Sequence, residues 1–336
     1  MTEPETLAAT PMRERAQTLA PGLLIASVIA MAAAFISEHY GGPVMLMALL
    51  LGMAFNFLSD EQRFSSGIDF SSGVILRIGV ALLGLRITYA DIVNLGVTPI
   101  ALVCAGLALT MLAGLVVARQ LGLTRHFAVL TAGAVSICGA SAAMAIAAVL
   151  PRHPQLERDT CFTVVAVTAL STLAMIIYPV IVSIADLDNA AAGMFLGATI
   201  HDVAQVVGAG YMVSDEAGDV ATFTKLLRVA MLVPLIIVIL LTMPKDRNAG
   251  LRGLGIVPIF LVVFMLLVVA NSLGWVPETP RQFLVGFSRG CLIVAIAALG
   301  VKTSLKELAS VGGAAIGLVV AETVILAALA LAILGA

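Results

Sequence analysis

Long apolar stretches separated by short polar links run through almost the whole chain. The links carry charged residues and proline, as in Ser59-Asp60-Glu61-Gln62-Arg63 and Pro151-Arg152-His153-Pro154, and such segments interrupt helices. A transmembrane helix needs about 20 mostly apolar residues. The pattern therefore predicts an all-α membrane protein of about 10–11 transmembrane helices, at residues 21–37, 43–58, 71–86, 97–118, 127–150, 160–184, 190–213, 226–243, 256–273, 282–301 and 311–335.

The first twenty residues are polar and include Arg13 and Arg15, and the apolar stretch after them leads into further ones. This is typical of a short tail before a first membrane helix and not of a cleaved signal peptide. We expect a cytoplasmic N-terminal tail over residues 1–20 and a single multi-pass transmembrane domain over residues 21–336.

Composition supports a membrane protein. Apolar residues make up 61% of the chain and charged residues 11%, whereas soluble domains are about 45–50% apolar and about 25% charged. The formal net charge of −2 gives no indication of nucleic acid as a partner. The cysteines lie in apolar stretches at unrelated spacings and predict neither a disulfide framework nor a zinc site; they are Cys104, Cys138, Cys161 and Cys291.

The basic residues of the links indicate an orientation. With eleven spans and the N-terminus inside, the tail and inner loops hold ten Lys and Arg residues, and the outer loops hold about six. The positive-inside rule then favours a cytoplasmic N-terminus. One re-entrant segment would reassign several loops. The residues placed outside are Arg86, Arg152, Arg158, Lys225, Arg228 and Arg281.

A short motif occurs twice. Leu83-Gly84-Leu85-Arg86-Ile87-Thr88 is followed by Asp91 and Gly96, and Leu299-Gly300-Val301-Lys302-Thr303-Ser304 is followed by Glu307 and Gly312 in the same register. The copies end the third and tenth predicted helices, which cross the membrane in opposite directions. We therefore predict inverted repeats, at about residues 43–150 and 190–336, an arrangement typical of secondary transporters.

Glycine and hydroxyl residues interrupt two of the predicted helices. The fifth contains Ser136, Cys138, Gly139 and Ser141, and the seventh contains Thr199. Backbone that leaves a helix inside a membrane must be buried in protein or line a wet cavity, and broken helix ends offer free N–H groups to an anion. These residues are candidates for substrate binding. The alternative is that the small residues only let helices pack closely.

His201 and Asp202 are adjacent ionisable residues in the middle of the seventh stretch. Aspartate at the centre of a membrane helix costs about 2.5–3.5 kcal/mol on insertion scales, so such residues generally mark an ion or proton pathway. Because histidine titrates near neutral pH, we predict that the pair takes up a proton as substrate binds. The alternative is a structural hydrogen bond between two helices.

Further charges lie within predicted helices at Arg77, Arg289 and Glu322. Guanidinium groups suit oxyanions because they donate to two oxygens at once, so Arg289 is a candidate anion ligand. Glu322 is a candidate for ion or proton coupling. Equally, Arg289 and Glu322 suit an internal ion pair, and Arg77 suits an interfacial position. We expect Lys225 and Arg228 to be interfacial positive charges.

These residues indicate a secondary active transporter that moves a small anion together with protons or another ion. The anion is expected between the fifth and seventh stretches, with Arg289 as counter-charge. The chain has no P-loop and no Gly-x-Ser-x-Gly or His-Glu-x-x-His motif, so we predict neither an ATP-driven pump nor an enzyme, and we expect no metal or cofactor. The alternatives are a passive anion channel and a membrane-embedded enzyme using His201 and Asp202 as acid and base.

The same segments resemble the YeiH-like family of bacterial inner-membrane proteins, to which sulfate export is assigned. The resemblance implies sulfate, sulfite or a related sulfur-containing oxyanion as substrate. It also implies a fold like those of cation/proton antiporters or bile-acid symporters, in which a core with two crossed broken helices packs against a helical panel, and a homodimer. It rests on Gly84-Leu85-Arg86 and on residues 136–142, 198–210, 225–229 and 300–305.

Overall fold

The computed structural model describes residues 12–40, 43–151, 153–242, 259–303 and 313–335, without the side chains of residues 12–16 and 60. Within these residues every regular element is a helix. Among them, seven helices are long and apolar enough to cross a membrane, and shorter apolar helices accompany them. Leu24 and Phe283 are 64% and 73% exposed, as expected for side chains that face lipid. The predicted all-α membrane fold is confirmed.

The helices are numbered in chain order. α1 begins at Met12, so part of the predicted tail is helical, whereas residues 1–11 of that tail lie outside the described residues. The helices are α1 (Met12–Tyr40), α2 (Val44–Ala54), α3 (Gln62–Leu85), α4 (Tyr89–Leu95), α5 (Thr98–Gln120), α6 (Arg125–Ser136), α7 (Ala140–Val149), α8 (Leu156–Ile184), α9 (Asn189–Thr199), α10 (Val203–Val213), α11 (Asp215–Ala230), α12 (Leu232–Thr242), α13 (Ile259–Ser272), α14 (Glu278–Lys302) and α15 (Ala314–Leu334).

One half of the molecule, which we call the scaffold, consists of α1, α2, α3, α13 and α14. Glycines bring its helices into backbone contact: Gly22 of α1 lies against Gly67 of α3, and Gly52 of α2 lies against Gly300 of α14. A Cβ atom at any of these positions would overlap backbone atoms of the neighbouring helix. The glycines therefore set the close spacing of the scaffold helices.

The other half, which we call the core, consists of α5–α12 and α15. Within it, α6 and α7 form a re-entrant hairpin, hairpin 1, and do not cross the membrane. The rings of His126, at the start of α6, and His153, just after α7, have centroids 5.4 Å apart. A Cβ atom at Gly133 of α6 would overlap the side chain of Ile146 in α7. The chain therefore returns to the end of the bundle at which it entered.

Helices α9 and α10 form a second re-entrant hairpin, hairpin 2. Ser214, just after α10, donates to Asn189 at the start of α9 (3.0 Å), and Asn189 donates to Glu216 of α11 (3.2 Å). The arms of the two hairpins have 10 to 12 residues, which is about 15–18 Å of helix. That is half of a hydrocarbon layer of about 30 Å, so both tips lie near the middle of the membrane.

The hairpins enter from opposite ends of the bundle. Near the start of α8, Phe162 packs against Phe127 of hairpin 1, with ring centroids 5.8 Å apart. Near the end of the same helix, Tyr178 packs against Phe195 of hairpin 2 at 5.3 Å. Since α8 crosses the membrane, these two contacts lie on opposite sides of it. Hairpin 1 begins at the end of the bundle where α14 finishes, which we call the Lys302 end. Hairpin 2 begins at the other, the Arg86 end.

The prediction of spanning helices at residues 127–150 and 190–213 is therefore wrong, because each stretch turns back at its centre. Apolarity does not distinguish one long helix from two half-length arms, since both must be apolar along their whole length. One consequence is that Arg158 lies at the same end as Arg119 and Arg125. In the described part of the chain, these two stretches form two hairpins whose tips meet, and the likeness to antiporter and bile-acid-symporter folds stays a prediction.

The repeated motif occupies comparable places in the scaffold. Gly84 of the first copy lies against the carbonyl oxygen of Phe264 in α13, and Gly300 of the second lies against the carbonyl oxygen of Leu49 in α2. Ser304, Glu307 and Gly312, which complete the second copy, lie outside the described residues. The inverted repeat stays a prediction.

Candidate substrate site

Lys225 and Arg228 of α11 lie against the tips of both hairpins and are 0% and 2% exposed. The Lys225 ammonium group donates to the carbonyl oxygen of Ile137 in the first tip (2.6 Å) and to that of Ile200 in the second (2.9 Å). The prediction that these two cations are interfacial is wrong. Their positions three residues apart on α11 place both in the centre of the core.

The guanidinium group of Arg228 joins the same two tips. It donates to the carbonyl oxygens of Val135 (2.7 Å) and Ser136 (2.9 Å) in hairpin 1. It also donates to those of Gly197 (3.3 Å) and Ile200 (3.2 Å) in hairpin 2. All these carbonyl groups belong to the last turns or the tips of α6 and α9.

These contacts explain how the chain can turn inside a membrane. The last carbonyl groups of a helix have no partner within the helix, and the helix dipole makes that end partly negative. Leaving such groups unpaired away from water costs about 1–3 kcal/mol each. Lys225 and Arg228 satisfy the carbonyl groups and neutralise both negative ends at once.

His201 and Asp202, at the tip of hairpin 2, face different parts of the core. Their backbone N–H groups both donate to the Ser171 hydroxyl of α8 (3.2 and 3.0 Å). His201 is fully buried, with its Nε2 atom 3.1 Å from the Thr323 hydroxyl of α15. The Asp202 carboxylate accepts from the N–H group of Ala204 (2.8 Å) and so caps α10. The two side chains of the adjacent pair therefore contact different elements, and their predicted joint role stays a prediction.

The tip of hairpin 1 turns at Gly139, whose φ of +64° is one that other residues rarely adopt. A Cβ atom there would lie 3.4 Å from the Cβ atom of His201, so the two tips are in contact. Beside it, the Cys138 sulfur lies 2.9 Å from the Ser141 hydroxyl oxygen. Ala140 and Ser141 begin α7, where the backbone N–H groups of a first turn have no helical partner.

A cavity of about 1040 Å³ extends from the Lys302 end to both tips. It lies between the core and the scaffold, and one wall carries the N-terminal turns of α7 and α10. The polar residues that line it from the core are Cys138, Ser141, Thr168, Thr172, Asp202 and Gln205, and those from the scaffold are Asp69, Ser72, Arg77, Lys302 and Thr303.

Arg77 is the unpaired cation of this cavity. Lys302 pairs with Asp69 at 2.6 Å, whereas Arg77 forms no ion pair or hydrogen bond with the residues described. It follows a π-helical turn at Ser71–Ile75 in the middle of α3, and such turns are frequent at functional sites. The π turn also places Ser72 and Gly73 in the cavity wall.

The predicted substrate residues separate into distinct groups. Cys138, Gly139 and Ser141 lie at the tip that reaches the cavity. Ser136 and Thr199 do not line it: their hydroxyl groups donate within their own helices, to Gly133 (3.3 Å) and Phe195 (2.6 Å). Instead, Ser136 and Thr199 belong to the ends of α6 and α9, where Lys225 and Arg228 bind the carbonyl groups.

Arg289 and Glu322 lie apart from the cavity. Arg289 is exposed on the surface of α14 and is not among the residues that line the cavity. Glu322 is buried in α15 and accepts from the Thr131 hydroxyl of α6 (2.9 Å). Among the described residues, the two do not form the ion pair that the sequence left open.

Sequence reasoning missed several residues of the site. Lys225 and Arg228 were assigned to an interface, and Arg77 was given no role in binding. Gln205, whose amide nitrogen donates to Thr172 (2.9 Å), was not singled out at all. The available signal was the i,i+3 spacing of Lys225 and Arg228, which places both cations on one face of their helix.

The Arg86 end is closed by a polar cluster between the scaffold and the core. Arg86, which follows α3, lies 3.1 Å from Asp219 and 3.8 Å from Asp215 of α11. Asp219 also accepts from the Tyr211 hydroxyl at 2.5 Å. A smaller cavity of about 480 Å³ adjoins the cluster, and it shares no lining residue with the larger one.

Comparisons with known proteins identify the family. The model of the family described as conserved hypothetical protein 698 matches residues 21–319. A UPF0324 membrane protein of Chlorobaculum tepidum is 55% identical over 93% of this chain and 88% of its own length. The UPF0324 membrane protein TauZ of Paracoccus denitrificans is 48% identical over 94% of this chain and 95% of its own length. No solved structure matches. The chain belongs to the UPF0324 family of membrane proteins, in agreement with the YeiH-like resemblance.

Proposed function

We propose that this member of the UPF0324 family is a secondary active transporter for a small anion, with sulfate, sulfite and related sulfur-containing oxyanions as its substrate class. The observation that carries the proposal is the position of the two hairpin tips. They lie between a large cavity that opens at the Lys302 end and a separate small cavity at the Arg86 end. A binding site reached from one side at a time is what a carrier requires.

The charges near the tips favour an anion. Lys225, Arg228 and Arg77 are positive, and the carboxylate of Asp202 is the negative side chain at the tips. The first turn of α7 adds free N–H groups and the positive end of a helix dipole. We assign the anion to the part of the cavity that Ser141 and Arg77 line, because a guanidinium group and these N–H groups border the same cavity.

The distribution of basic side chains supports a cytoplasmic Lys302 end. Positive residues are concentrated on the cytoplasmic side of inner-membrane proteins. In the described part of the chain, the Lys302 end carries Arg63, Arg119, Arg125, Arg158 and Lys302, whereas the Arg86 end carries Arg86 and Arg281. This orientation places the start of α1 in the cytoplasm and makes the larger cavity open inward.

The test is anion exchange in proteoliposomes at equal pH on both sides, with radiolabelled sulfate or sulfite outside and unlabelled anion inside. The wild-type protein is expected to exchange label. Arg77→Gln should reduce exchange by about 10- to 100-fold, since a hydrogen bond to a charged group contributes about 1.5–3 kcal/mol. Arg289→Gln is the matched control, because it also removes an arginine within a membrane helix, and it should leave exchange unchanged.

The proposal fails if no anion of this class exchanges, or if Arg289→Gln abolishes exchange while Arg77→Gln does not. Macroscopic currents in planar bilayers would instead indicate a passive channel. The separation of the two cavities by the hairpin tips argues against a continuous pore.

A further inference from the structure

Glu322 is a buried carboxyl group with one oxygen atom unpartnered. It lies in the middle of α15 and is 0% exposed. Its Oε1 atom accepts from the Thr131 hydroxyl (2.9 Å), and its Oε2 atom has no hydrogen-bond partner among the described residues. Gly114 of α5 and Ala132 of α6 lie beside this carboxyl group. An ionised carboxylate without a cation is very costly in such a place, whereas the neutral acid is not.

Two consecutive residues of α15 contact the two hairpins. Glu322 accepts from Thr131 in hairpin 1, and Thr323 contacts His201 at the tip of hairpin 2 (3.1 Å). The Thr323 hydroxyl donates its proton to the carbonyl oxygen of Val319 (2.8 Å), so it must accept from His201. His201 therefore carries its hydrogen on Nε2, and its Nδ1 atom is left without a partner in the described structure.

We propose that Glu322 carries the coupling proton of the transport cycle. This inference rests on the proposed transporter function and names its coupling ion. In this conformation the carboxyl group holds the proton. When hairpin 1 and α5 move apart from α15, the carboxyl group releases the proton to water on one side of the membrane. It then takes up a proton again from water on the opposite side. One O–H bond breaks and later forms again, and no other bond changes.

The groups around Glu322 leave it as the residue that exchanges the proton. His201 is the ionisable group on the neighbouring hairpin tip, but it is fully buried and follows Ile200, whose carbonyl oxygen binds both Lys225 and Arg228, so a further positive charge there is disfavoured. Asp202 and Cys138 face the cavity. The remaining charged or titratable groups on the elements packed against α15 lie towards the ends of those elements; they are Cys104 and Arg119 of α5, Arg125 and His126 of α6, and Glu157, Arg158, Asp159, Cys161 and Tyr178 of α8.

A proton fits the site better than a metal cation. Calcium and magnesium require about six or more oxygen ligands. The described oxygen atoms at Glu322 are its own carboxyl group and the Thr131 hydroxyl, which itself lies 3.3 Å from the carbonyl oxygen of Ala128. A single carboxyl group with one hydroxyl neighbour is sufficient for a proton.

The experiment compares exchange with pH-driven transport in proteoliposomes. Glu322→Gln keeps the shape of the side chain and an acceptor for Thr131, but it cannot titrate. We expect it to retain at least about half of the wild-type anion exchange at equal pH. It should lose anion accumulation driven by a pH gradient, and it should lose anion-dependent proton movement reported by a trapped pH dye. Glu157→Gln, which removes an exposed carboxylate, should change neither.

A second variant distinguishes the loss of the titrating group from misfolding. Thr131→Val removes the hydroxyl neighbour and leaves the carboxyl group, so transport should stay pH-driven with a shifted midpoint of its pH profile. The inference is overturned if Glu322→Gln still accumulates anion in response to a pH gradient, or if wild-type accumulation follows a sodium gradient and not a pH gradient. Either result would leave the proposed function standing, because exchange is measured separately. Absence of exchange in the wild type would instead count against the transporter itself.

Discussion

The guanidinium group of Arg86 lies 3.1 Å from the carboxylate of Asp219 and so joins the end of α3 to the start of α11. Both side chains are only about one-fifth exposed, at 21% and 20%. This pair connects the scaffold to the core at the end opposite the large cavity. A carrier that alternates between its two ends must break the contact to open the Arg86 end.

The first prediction concerns this contact. Arg86→Gln removes one charge of the pair and should raise the fraction of molecules open at the Arg86 end. The reporter is a cysteine introduced by Ser141→Cys in a protein that lacks the native cysteines. An impermeant thiol reagent added at the Arg86 end should label it several-fold faster in the Arg86→Gln protein.

The matched control is Arg281→Gln. Arg281 lies at the same end, but it pairs with Glu278 of its own helix (2.9 Å), so its loss does not separate the scaffold from the core. Equal labelling of the Arg86→Gln and Arg281→Gln proteins would show that the Arg86 pair does not hold this end closed.

A second prediction concerns the cations that hold the tips. Arg228→Leu leaves several buried carbonyl groups unpaired, at about 1–3 kcal/mol each. It should lower the free energy of unfolding in detergent by about 3–5 kcal/mol. Lys225→Leu should lower it less, since Lys225 donates to two carbonyl groups and Arg228 to four.

Arg119→Leu is the control for this pair, because its side chain is exposed and forms no ion pair or hydrogen bond with the described residues. Its effect should stay within about 0.5 kcal/mol, as for most surface substitutions. Denaturant titration or thermal unfolding measures all three variants. If Arg228→Leu were as stable as Arg119→Leu, the hydrogen bonds to the helix ends would not be what stabilises the turns.

The apolar pattern predicted the membrane fold and located both turns, but it did not predict their geometry. Ser136 to Ser141 and Thr199 to Asp202 were singled out because polar and small residues interrupt apolar stretches there. Whether the chain continues as a helix or turns back depends on which side chains donate hydrogen bonds to the free carbonyl groups. The donor residues, Lys225 and Arg228, lie at least 25 positions away in the sequence from the carbonyl groups at the two tips.

The same limit applies to the site residues. The sequence correctly placed Asp202 and Ser141 at a break, yet it paired His201 with Asp202 because they are neighbours in the chain. In the structure both residues belong to a non-helical tip, where His201 faces α15 and Asp202 faces the cavity. Local spacing predicts relative orientation inside a helix and not at a turn.

A third prediction tests the backbone of the first tip. Gly139 has a φ of +64°, and a Cβ atom there would also lie 3.4 Å from that of His201. A side chain in this sparsely populated backbone conformation costs about 1–3 kcal/mol. Gly139→Ala should therefore lower the free energy of unfolding by that amount and slow anion exchange.

Gly286→Ala provides the comparison, since nothing lies within 4 Å of a Cβ atom at this position of α14. Alanine there should be neutral or stabilise the helix by up to about 1 kcal/mol. Similar stability of the two alanine variants would mean that the tip relaxes freely and that glycine is not required.

The fourth prediction separates the two roles of Asp202, which caps α10 and places a negative charge in the cavity. Asp202→Asn keeps an oxygen to accept from Ala204 and removes the charge. It should leave stability nearly unchanged and tighten anion binding by about 3- to 30-fold, because a carboxylate several ångströms away repels an anion by about 0.5–2 kcal/mol. Asp202→Ala should tighten binding too, but lose about 1 kcal/mol of stability with the cap.

Binding is measured by the rise in unfolding temperature with sulfate or sulfite concentration, which reports the dissociation constant. The opposite sign is equally informative. If Asp202→Asn weakens binding while Asp202→Ala does the same, the carboxylate must interact with a cation that accompanies the anion and does not merely repel the substrate. In that case the coupling ion would lie on the cavity side of hairpin 2, and Glu322 on the other side would lose its proposed role.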